Sequence, residues 1–540
     1  MKKSINLILI VLAMFLLSTC FLSFQKVQAA DYYDTIKQQN ISLEIINTLY
    51  SESSRLGANL SFFPKTDERQ LVSLQTDPKG KIYDQSIYFN FERSGDLKMV
   101  LLSNITTDFL IKPIPYVDIN ALFPEIAKSE YTKSTNFTDS NNFKIKNKAQ
   151  QLAQGSTDSF EILYKLAEYV KNSMAYDLNF NELKKASEII EEKKGVCAQY
   201  TILFNALSRA LGFPTRYISG VAYSTASDSF EEHAWSEVWL PEIGWVPFDT
   251  TFGQYGWLDT YHIALKKGLD AGESSIVYNY IGGYIQPDQI QTNAEIINQS
   301  GLVKLNISLE GELLKEKVSQ QSYVPLKVRI TNNENYYFAL PVRVSIAPEV
   351  YGRFQKILLL KPGESIETYF LIYVPYESEC RRGCTSNIEV LDIFNDSIQT
   401  KITFSDSYDR ISLEDAIQLM NSTGSIDLYD LNNDIDFYCR PEKEVYTKDE
   451  ERRAICNVKT QKEETLKICY ESQCIEKYFN KDENVELEPI NISSSETSVC
   501  LTIIDSNLSL NSCLDFAIKK ERNIFGRIAD FFVSLYNRIF

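Results

Sequence analysis

The hydrophobic periodicity of this 540-residue chain changes twice, and no other feature constrains the fold as strongly. From about residue 40 to 110, apolar and polar residues alternate in short runs, which is typical of half-buried strands. A helical period replaces this alternation between residues 147 and 211, and strand patterning returns after about residue 297. A single hydrophobic core stops growing at about 250–300 residues, so the chain must divide into several domains.

The helical segment leads into three short strand patterns. The stretch CAQYTILFNALSRALGFP places its apolar residues on one face of a helix. Gly212 stands where such a helix ends, and Pro214 prevents its continuation. The strand patterns that follow are, in order, TRYISGVAY, HAWSEVWL and GWVPFDTT. We therefore predict an α+β domain over residues 147–296.

The strand-patterned flanks predict further β domains around this α+β domain. We expect an N-terminal β domain at 30–112 and a linker at 113–146. After the α+β domain we expect an immunoglobulin-like β-sandwich at 297–405, a polar linker at 406–432, a second, cysteine-bearing sandwich at 433–518 and an amphipathic helix at 519–540. That last helix is suited either to a membrane interface or to docking on its own domain.

The N-terminus has the pattern of an export signal. Two lysines precede an apolar run from Ile5 to about Phe24, and Ala29 closes a small-residue cleavage site. The run is long enough that residues 1–29 are either a signal peptide or an uncleaved anchor. Both alternatives predict a chain that is extracellular or displayed at the cell surface.

The cysteines agree with export. Eight of the ten lie after residue 379, and an even number in one region of an exported chain predicts disulfides. Proximity in the sequence favours the pairs Cys380–Cys384, Cys439–Cys456, Cys469–Cys474 and Cys500–Cys513. A zinc site is disfavoured, because no histidine lies among these cysteines and their spacings do not repeat as paired knuckles.

The net negative charge of the chain argues against a nucleic-acid partner. The formal net charge is −17, whereas binding to nucleic acid needs a basic face that neutralises phosphates. We therefore expect no nucleic-acid partner. No nucleotide, haem or metal motif stands out, so we also expect no cofactor.

Cys197, His233 and Asp249 form the candidate catalytic set. Cys197 immediately precedes the apolar helix, whose N-terminal dipole favours the nucleophilic thiolate. His233 begins one strand of a predicted hairpin and Asp249 ends the other, so the two should lie roughly opposite each other. A carboxylate in that position would orient the imidazole and stabilise its protonated form.

Each of these residues also has a purely structural interpretation. A lone cysteine beside an apolar helix is usually a core residue, a strand histidine is often satisfied by its surroundings, and an Asp before two threonines can form a turn. The joint arrangement favours catalysis over three separate coincidences. His262, in TYHIAL, has no comparable partner in the sequence, and we interpret it as structural.

The blocks GVCAQYTILFNALSRALGFPTRYISG, HAWSEVWL and GWVPFDTT resemble the core of the transglutaminase-like superfamily over about residues 147–290. The resemblance implies a papain-like α+β fold and a Cys-His-Asp triad made of Cys197, His233 and Asp249. It further implies that Trp235, Trp239 and Trp245 line the site and hold the hairpin. Tyr176, in MAYD, resembles an aromatic residue that often precedes the family's cysteine, and it is a candidate oxyanion donor or a packing residue.

These observations predict a cell-surface or secreted cysteine enzyme that cleaves amide or peptide bonds through a thioester. The expected partner is a protein or peptide substrate, with membrane association possible through either terminus. Two alternatives stay open: a cross-linking transglutaminase, in which an amine replaces water, and a non-catalytic adhesion or scaffold protein.

Overall fold

A computed structural model describes residues 35–515, apart from 122–128, 181, 226, 395, 424–434, 442–450, 461–463, 471–472, 481–483, 487–489, 493–497 and 506–507. The predicted export signal at 1–29 and the predicted terminal helix at 519–540 lie outside the described residues. Among the described residues, no helix is both long and apolar enough to cross a membrane.

The chain begins with a β domain whose alternating burial follows the alternating sequence. Its strands are β1 (Ile36–Ser51), β2 (Leu56–Leu60), β3 (Gln70–Asp77), β4 (Lys81–Ile82), β5 (Ile87–Phe91), β6 (Gly95–Asp108) and β7 (Leu110–Ile111). Strand β1 is central, with every second residue from Ile41 to Leu49 buried. Because successive side chains on a strand point to opposite faces, one face of β1 forms core while the other meets solvent.

A helical and mixed segment follows. Its helices are α1 (Phe143–Ala153), α2 (Ser159–Ser173), α3 (Ala186–Glu192) and α4 (Cys197–Ala210). Its strands are β8 (Ala175–Tyr176), β9 (Lys194–Gly195), β10 (Thr215–Ser224), β11 (Ser229–Leu240), β12 (Gly244–Asp249), β13 (Gln254–Tyr255), β14 (Trp257–Leu258) and β15 (His262–Gly268).

Helix α4 is the centre of this unit. Its residues Ile202, Leu203 and Phe204 are fully buried in a core shared with α2 and with the sheet ordered β13-β12-β11-β10-β15. Truncating one such side chain to alanine typically costs about 2–5 kcal/mol of stability. The helix ends as its sequence predicts: Leu211 is the C-cap and Gly212 adopts a φ of 87°.

The next three strands return to the N-terminal β domain. They are β16 (Ile276–Tyr280), β17 (Ile285–Pro287) and β18 (Gln291–Leu302). Strands β17 and β18 pair with β1, and β16 pairs with β2. The boundaries drawn at residues 296 and 297 are therefore misplaced, because alternation identifies a strand but not its pairing partner.

The following β domain packs two sheets on each other. Its strands are β19 (Ile307–Leu313), β20 (Lys317–Val318), β21 (Ser322–Asn332), β22 (Phe338–Ile346), β23 (Glu349–Tyr351), β24 (Gln355–Leu360), β25 (Ser365–Val374), β26 (Cys384–Asp392) and β27 (Ser397–Phe404). The sheets are ordered β19-β21-β25-β23 and β20-β27-β26-β22-β24, and the 3₁₀ turn Ser378–Arg382 precedes β26.

The segment 406–432, expected to be a polar linker, contains helix α5 (Leu413–Thr423). Ala416 is fully buried and belongs to the core of the preceding β domain, so α5 covers part of that domain. The linker prediction was wrong here because the polar residues of this stretch are the exposed face of an amphipathic helix.

The last described strands are β28 (Ile435–Pro441), β29 (Arg452–Thr460), β30 (Glu464–Tyr470), β31 (Gln473–Phe479), β32 (Asn484–Glu486), β33 (Ile490–Ile492), β34 (Ser498–Asp505) and β35 (Leu508–Asp515). They form two four-stranded sheets.

The predicted cysteine pairs fit the strand register. Cys380 and Cys384 form a disulfide. The other three predicted pairs occupy directly opposed positions in antiparallel strands: Cys439 with Cys456, Cys469 with Cys474, and Cys500 with Cys513. Opposed Cα atoms lie about 4.5–5.5 Å apart, within the range that a disulfide spans.

Candidate active site

Cys197 is the first residue of α4, and its thiol is free. Gln199 holds this helix start in place: its side-chain oxygen accepts the Val196 N–H at 3.0 Å, and its amide donates to the Glu182 carbonyl at 2.8 Å. A Cβ atom on Gly195 would lie 2.5 Å from the Gln199 Cβ, so only glycine fits before Val196. The helix dipole therefore acts on a thiol whose position is fixed by local packing.

His233 lies on β11 directly opposite Gly220 of the neighbouring β10. A Cβ atom on Gly220 would lie 2.0 Å from the Ile263 carbonyl oxygen and 2.9 Å from the Trp235 ring. The glycine therefore allows three strands to approach closely where the imidazole is held. The His233 side chain is buried, with Phe252 stacked on its ring at a centroid distance of 4.6 Å.

Asp249 ends β12 and carries a fully buried carboxylate that is saturated with hydrogen bonds. Its Oδ2 lies 2.7 Å from the His233 Nε2. Its Oδ1 accepts the backbone N–H groups of Thr251 at 2.8 Å and Phe252 at 2.9 Å. The turn after β12 therefore holds the carboxylate against the imidazole.

The hairpin register differs slightly from the predicted one. The pairs Ser236–Phe248 and Leu240–Gly244 centre the turn on Glu242 rather than on Pro241. Extending that register places Asp249 two positions from the residue opposite His233. The two side chains therefore meet along a diagonal, which long polar side chains can bridge.

The His233 ring has Cys197 as its other partner. Burial lowers the pKa of His233, but the charge and hydrogen bond of Asp249, joined by a hydrogen bond to Cys197, outweigh it and raise the pKa to about 10. Burial would raise the pKa of Asp249, yet the His233 charge and the two imidazole hydrogen bonds hold it well below its usual range. The structure thus joins a thiol, an imidazole and a carboxylate in one cluster, with His233 favouring its protonated form.

His262, interpreted above as structural and without a partner, belongs to this cluster. Its Nε2 lies 3.0 Å from the same Asp249 Oδ2, and its Nδ1 lies 2.7 Å from the Asp259 Oδ1. The sequence-based interpretation failed because Asp249 was already assigned to His233. The spacing Asp259-x-x-His262 was the available signal.

The His233, His262 and Asp249 ligand atoms lie within 4.8 Å of one another, close enough to hold a metal ion. Both imidazole nitrogens, however, already face the same carboxylate oxygen at 2.7 and 3.0 Å. A cation would have to replace both N–H groups, so the donor set fits a hydrogen-bonded cluster better than a metal centre.

With this geometry in view, the chain can be compared with known proteins. The family model for the transglutaminase-like superfamily matches residues 146–250, a segment that contains Cys197, His233 and Asp249. This segment is therefore similar to the transglutaminase-like superfamily.

Two curated relatives and one solved structure are similar to parts of the chain. The chain is 27% identical over 146 residues to the uncharacterised protein YebA of Bacillus subtilis, a match that covers 23% of this chain and 20% of YebA. It is 31% identical over 72 residues to a protein-glutamine gamma-glutamyltransferase of Pseudomonas aeruginosa, covering 12% of this chain and 11% of that enzyme. A candidate cysteine protease from Cytophaga hutchinsonii shares 17% identity over 49% of this chain and 92% of its own, with a TM-score of 0.39.

Tyr176 lies beside the thiol of this transglutaminase-like core. Strand β8 pairs with β9 just before α4, so Tyr176 is opposite Gly195. The Cys197 backbone N–H donates to the Tyr176 hydroxyl, and burial followed by the Cys197 charge raises the pKa of Tyr176 to about 12. The hydroxyl therefore keeps its proton at neutral pH and stands next to a backbone donor.

The three hairpin tryptophans have different surroundings. Trp235 is 1% exposed and its ring contacts that of His262, with centroids 5.2 Å apart. Trp239 and Trp245 instead pack edge-to-face on each other near the turn, with centroids 5.5 Å apart. Trp235 therefore borders the site, whereas Trp239 and Trp245 hold the far end of the hairpin.

A cleft with a volume of about 900 Å³ opens beside Tyr176 and Phe252 of the transglutaminase-like core. Both flanking domains contribute to its lining, through Thr35, Ile36 and Phe109 of the N-terminal domain and Pro341, Gln355 and Ile393 of the following one. Lys171 also lines the cleft and donates to the Thr251 carbonyl at 2.8 Å. The lining is rich in aromatic and apolar side chains.

Proposed function

We propose that this protein is a cysteine enzyme that cleaves amide or peptide bonds through a thioester intermediate. The observation that carries the proposal is that the His233 imidazole interacts with both Asp249 and Cys197. His233 contacts Asp249 at 2.7 Å on one side and hydrogen-bonds Cys197 at a helix N-terminus on the other. This arrangement activates a thiol and returns a proton to a leaving group.

In the first half of the reaction His233 is protonated, in keeping with its pKa of about 10, and the Cys197 sulfur attacks the carbonyl carbon of the substrate amide as a thiolate. The carbonyl oxygen becomes an oxyanion, for which the Cys197 backbone N–H and the Tyr176 hydroxyl are candidate donors. The C–N bond then breaks, and the amine leaves with the proton that His233 carries. A thioester on Cys197 remains.

In the second half water attacks the thioester and His233 removes its proton. The C–S bond breaks, the acid product leaves, and the Cys197 sulfur departs as a thiolate beside the protonated His233. Asp249 stays ionised throughout, because its role is to orient His233 and to stabilise the protonated ring. We favour water as the acceptor because it is far more concentrated than any amine.

The cleft supports a peptide as the acyl donor. Its aromatic and apolar lining would bury apolar side chains of an extended segment, and its volume of about 900 Å³ accommodates several residues. The N-terminal pattern and the Cys380–Cys384 disulfide support an exported protein, so we propose a surface or secreted protein as the substrate.

Cross-linking is the second candidate function. The likeness to a protein-glutamine gamma-glutamyltransferase over 72 residues favours it, since an amine would then replace water as the acceptor. A scaffold role with an inactive core is the third, and it would leave Cys197 without a chemical function.

The test uses the full chain and a glutamine-containing peptide library with apolar flanks. We expect hydrolysed products, a trapped thioester on Cys197 by mass spectrometry, and turnover that added primary amine does not accelerate. The matched controls are Cys197→Ala, which removes the nucleophile, and Ser219→Ala, a change in β10 outside the cluster. Acceleration by amine would indicate cross-linking, whereas no turnover and no iodoacetamide labelling of Cys197 would support the scaffold.

A further inference from the structure

His262 occupies an unusual position for a histidine outside the predicted triad. It begins β15, its side chain is fully buried, and each of its ring nitrogens faces a different carboxylate. Nε2 is 3.0 Å from Asp249, and Nδ1 is 2.7 Å from Asp259.

The hydrogen bonds around Asp249 determine which groups carry protons. Its Oδ1 accepts two backbone N–H groups, and its Oδ2 faces both imidazoles. Burial would raise the pKa of Asp249, but the His233 charge and the imidazole hydrogen bonds hold it well below its usual range, so Asp249 is ionised. Both His233 and His262 must therefore donate Nε2–H to it.

Asp259 is held by a second set of hydrogen bonds. Its Oδ1 accepts the Tyr261 N–H at 2.9 Å, and its Oδ2 accepts the Gln254 amide at 2.6 Å. The orientation of that amide is fixed, because its oxygen accepts the Asp259 N–H at 3.1 Å. Burial would raise the pKa of Asp259, but the His262 charge and these hydrogen bonds outweigh it and lower the pKa, so Asp259 is also a carboxylate and the His262 Nδ1 donates to it.

A histidine that donates from both nitrogens is an imidazolium. Burial lowers the pKa of His262, but the Asp259 charge and the hydrogen bonds of Asp249 and Asp259 outweigh it and raise the pKa overall. The other charged neighbours are His233, whose ring centroid is 5.4 Å away, and Arg69 of the N-terminal domain, which donates to the His262 carbonyl.

We propose that His262 is a positioning residue that acts on His233 through Asp249, as a permanent cation held between two carboxylates. It fixes the Asp249 carboxylate from the side opposite His233. It also offsets part of the Asp249 charge, and so limits how tightly His233 holds its proton. The kinetic part of this proposal rests on the proposed cysteine chemistry, whereas the charge on His262 does not.

The proposal has a definite electrostatic sign. Removing a positive charge near His233 stabilises the His233 imidazolium, so the basic limb of the pH–rate profile should move to higher pH. Removing the Asp249 charge should move the same limb to lower pH. If His262 were purely structural, removing it would not move the basic limb in the direction opposite to removing the Asp249 charge.

The first experiment needs no substrate. The chain contains two histidines, so a sample with isotope-labelled histidine gives two sets of ring signals, which the His262→Gln variant assigns. We expect the His262 ring to remain doubly protonated from pH 6 to pH 9, and the Asp259→Asn variant to lose that proton at lower pH. A neutral His262 ring at pH 7 in the unmodified chain would overturn the proposal.

The second experiment compares His262→Gln with Thr260→Ala in the full chain. The glutamine amide can still donate to Asp249 without a charge, whereas Thr260 is a buried neighbour whose hydroxyl bonds only to Gln39. We expect His262→Gln to lower kcat/KM about tenfold and to raise the basic limb by about half a pH unit or more, with Thr260→Ala leaving the profile in place. An unmoved limb in a folded His262→Gln protein refutes the positioning role.

The two experiments also separate this proposal from the proposed function. If no substrate is turned over, the pH dependence of Cys197 alkylation by iodoacetamide, read from the Cys197 peptide, replaces the rate profile. A shift to higher pH in His262→Gln would then support the role of His262 even though the amide-cleaving function had failed. If His262→Gln does not fold, the labelled wild-type chain and Asp259→Asn still decide the charge on His262.

Discussion

At the residue scale, the site depends on a few buried polar atoms whose partners are all protein groups. Asp249 is the clearest case, since its two oxygens meet two backbone N–H groups and two imidazoles. A saturated carboxylate cannot rotate or take up a proton without losing a hydrogen bond. Its charge is therefore a fixed element of the site.

Replacing this carboxylate with an amide tests its charge. We expect Asp249→Asn to lower kcat about 10³–10⁴-fold, because the amide cannot accept from both rings and His233 is no longer held in one tautomer. The charge of Asp249 raises the pKa of His233 to about 10, so its loss should move the basic limb of the pH–rate profile to lower pH. Rates measured between pH 6 and pH 10.5 check both effects, and an unchanged limb would show that Asp249 does not act on His233 by charge.

Tyr176 supplies the next residue-scale prediction. Its hydroxyl keeps its proton, with a pKa of about 12, and lies beside the Cys197 N–H. If it donates to the oxyanion, Tyr176→Phe should lower kcat about 10–100-fold with little change in KM, because the hydrogen bond forms only in the transition state. Equal loss in kcat and gain in KM would instead assign Tyr176 to substrate packing. Tyr223→Phe, on another part of the cleft lining, is the matched control.

At the element scale, the strands around His233 are packed too closely for any side chain at Gly220. We expect Gly220→Ala to cost about 2–3 kcal/mol of stability, because its Cβ would overlap the Ile263 carbonyl oxygen at 2.0 Å. Activity should fall further than the folded fraction, since Gly220 is directly opposite His233 in the β10–β11 ladder. Thermal unfolding and rates per folded molecule check this, with Ser219→Ala as the neighbouring control. A stable and active Gly220→Ala protein would mean that β15, which carries Ile263, can move away from β10 and relieve the overlap.

The elements of the central unit were the most predictable part of the fold. Helix α4 begins at Cys197 and ends before Gly212, as its apolar face and stop signals indicate. The hairpin was predicted from two strand patterns, but the centre of its turn lies one residue later, at Glu242, than the pairing of His233 with Asp249 assumed. Local patterns fix where an element lies, whereas register depends on turn geometry that periodicity does not encode.

His262 shows why the site was only partly predictable. The resemblance to the transglutaminase-like superfamily assigned His233 as the imidazole partner of Asp249, and nothing in the sequence pointed to a second one. The second imidazole reaches the same oxygen because β15 pairs with β10 and carries His262 into the sheet, a contact between residues 13 positions apart. Such sharing follows from tertiary packing alone.

At the scale of the whole molecule, the N-terminal β domain is built from two distant parts of the chain. Strands β16 to β18 return to it after the transglutaminase-like core, so the core is inserted into that domain. This pairing was not predicted, because the alternation of apolar and polar residues identifies a strand without identifying the strand it pairs with. The chain enters the core after β6, in one sheet of that domain, and leaves it into β16, in the other sheet.

Arg69 links this domain to the site. Its guanidinium donates to the carbonyl of His262 and, at 3.0 Å, to that of Asp259, and its side chain is buried. We expect Arg69→Met to cost about 2–4 kcal/mol of stability, because two buried carbonyls would lose a charged donor. It should also lower kcat, since Asp259 and His262 would shift together. Thermal unfolding and kcat check this, with Arg55→Met, a change at an exposed arginine of the same domain, as the control. Equal stability and equal kcat in the two variants would show that Arg69 does not link the domain to the site.

The cleft gives the last prediction, because it is assembled from three parts of the molecule. Ile36, at the start of β1, lines it from the N-terminal domain. We expect Ile36→Lys to raise KM for apolar peptides about 10-fold, because a charge would replace part of the apolar lining, while Cys197 alkylation by iodoacetamide keeps its rate. Leu71→Lys is the matched control, since Leu71 is an exposed apolar residue of the same domain that lies outside the lining. If both variants bind the peptide equally well, the acyl donor does not extend to the N-terminal domain, and the peptide contacts only the core.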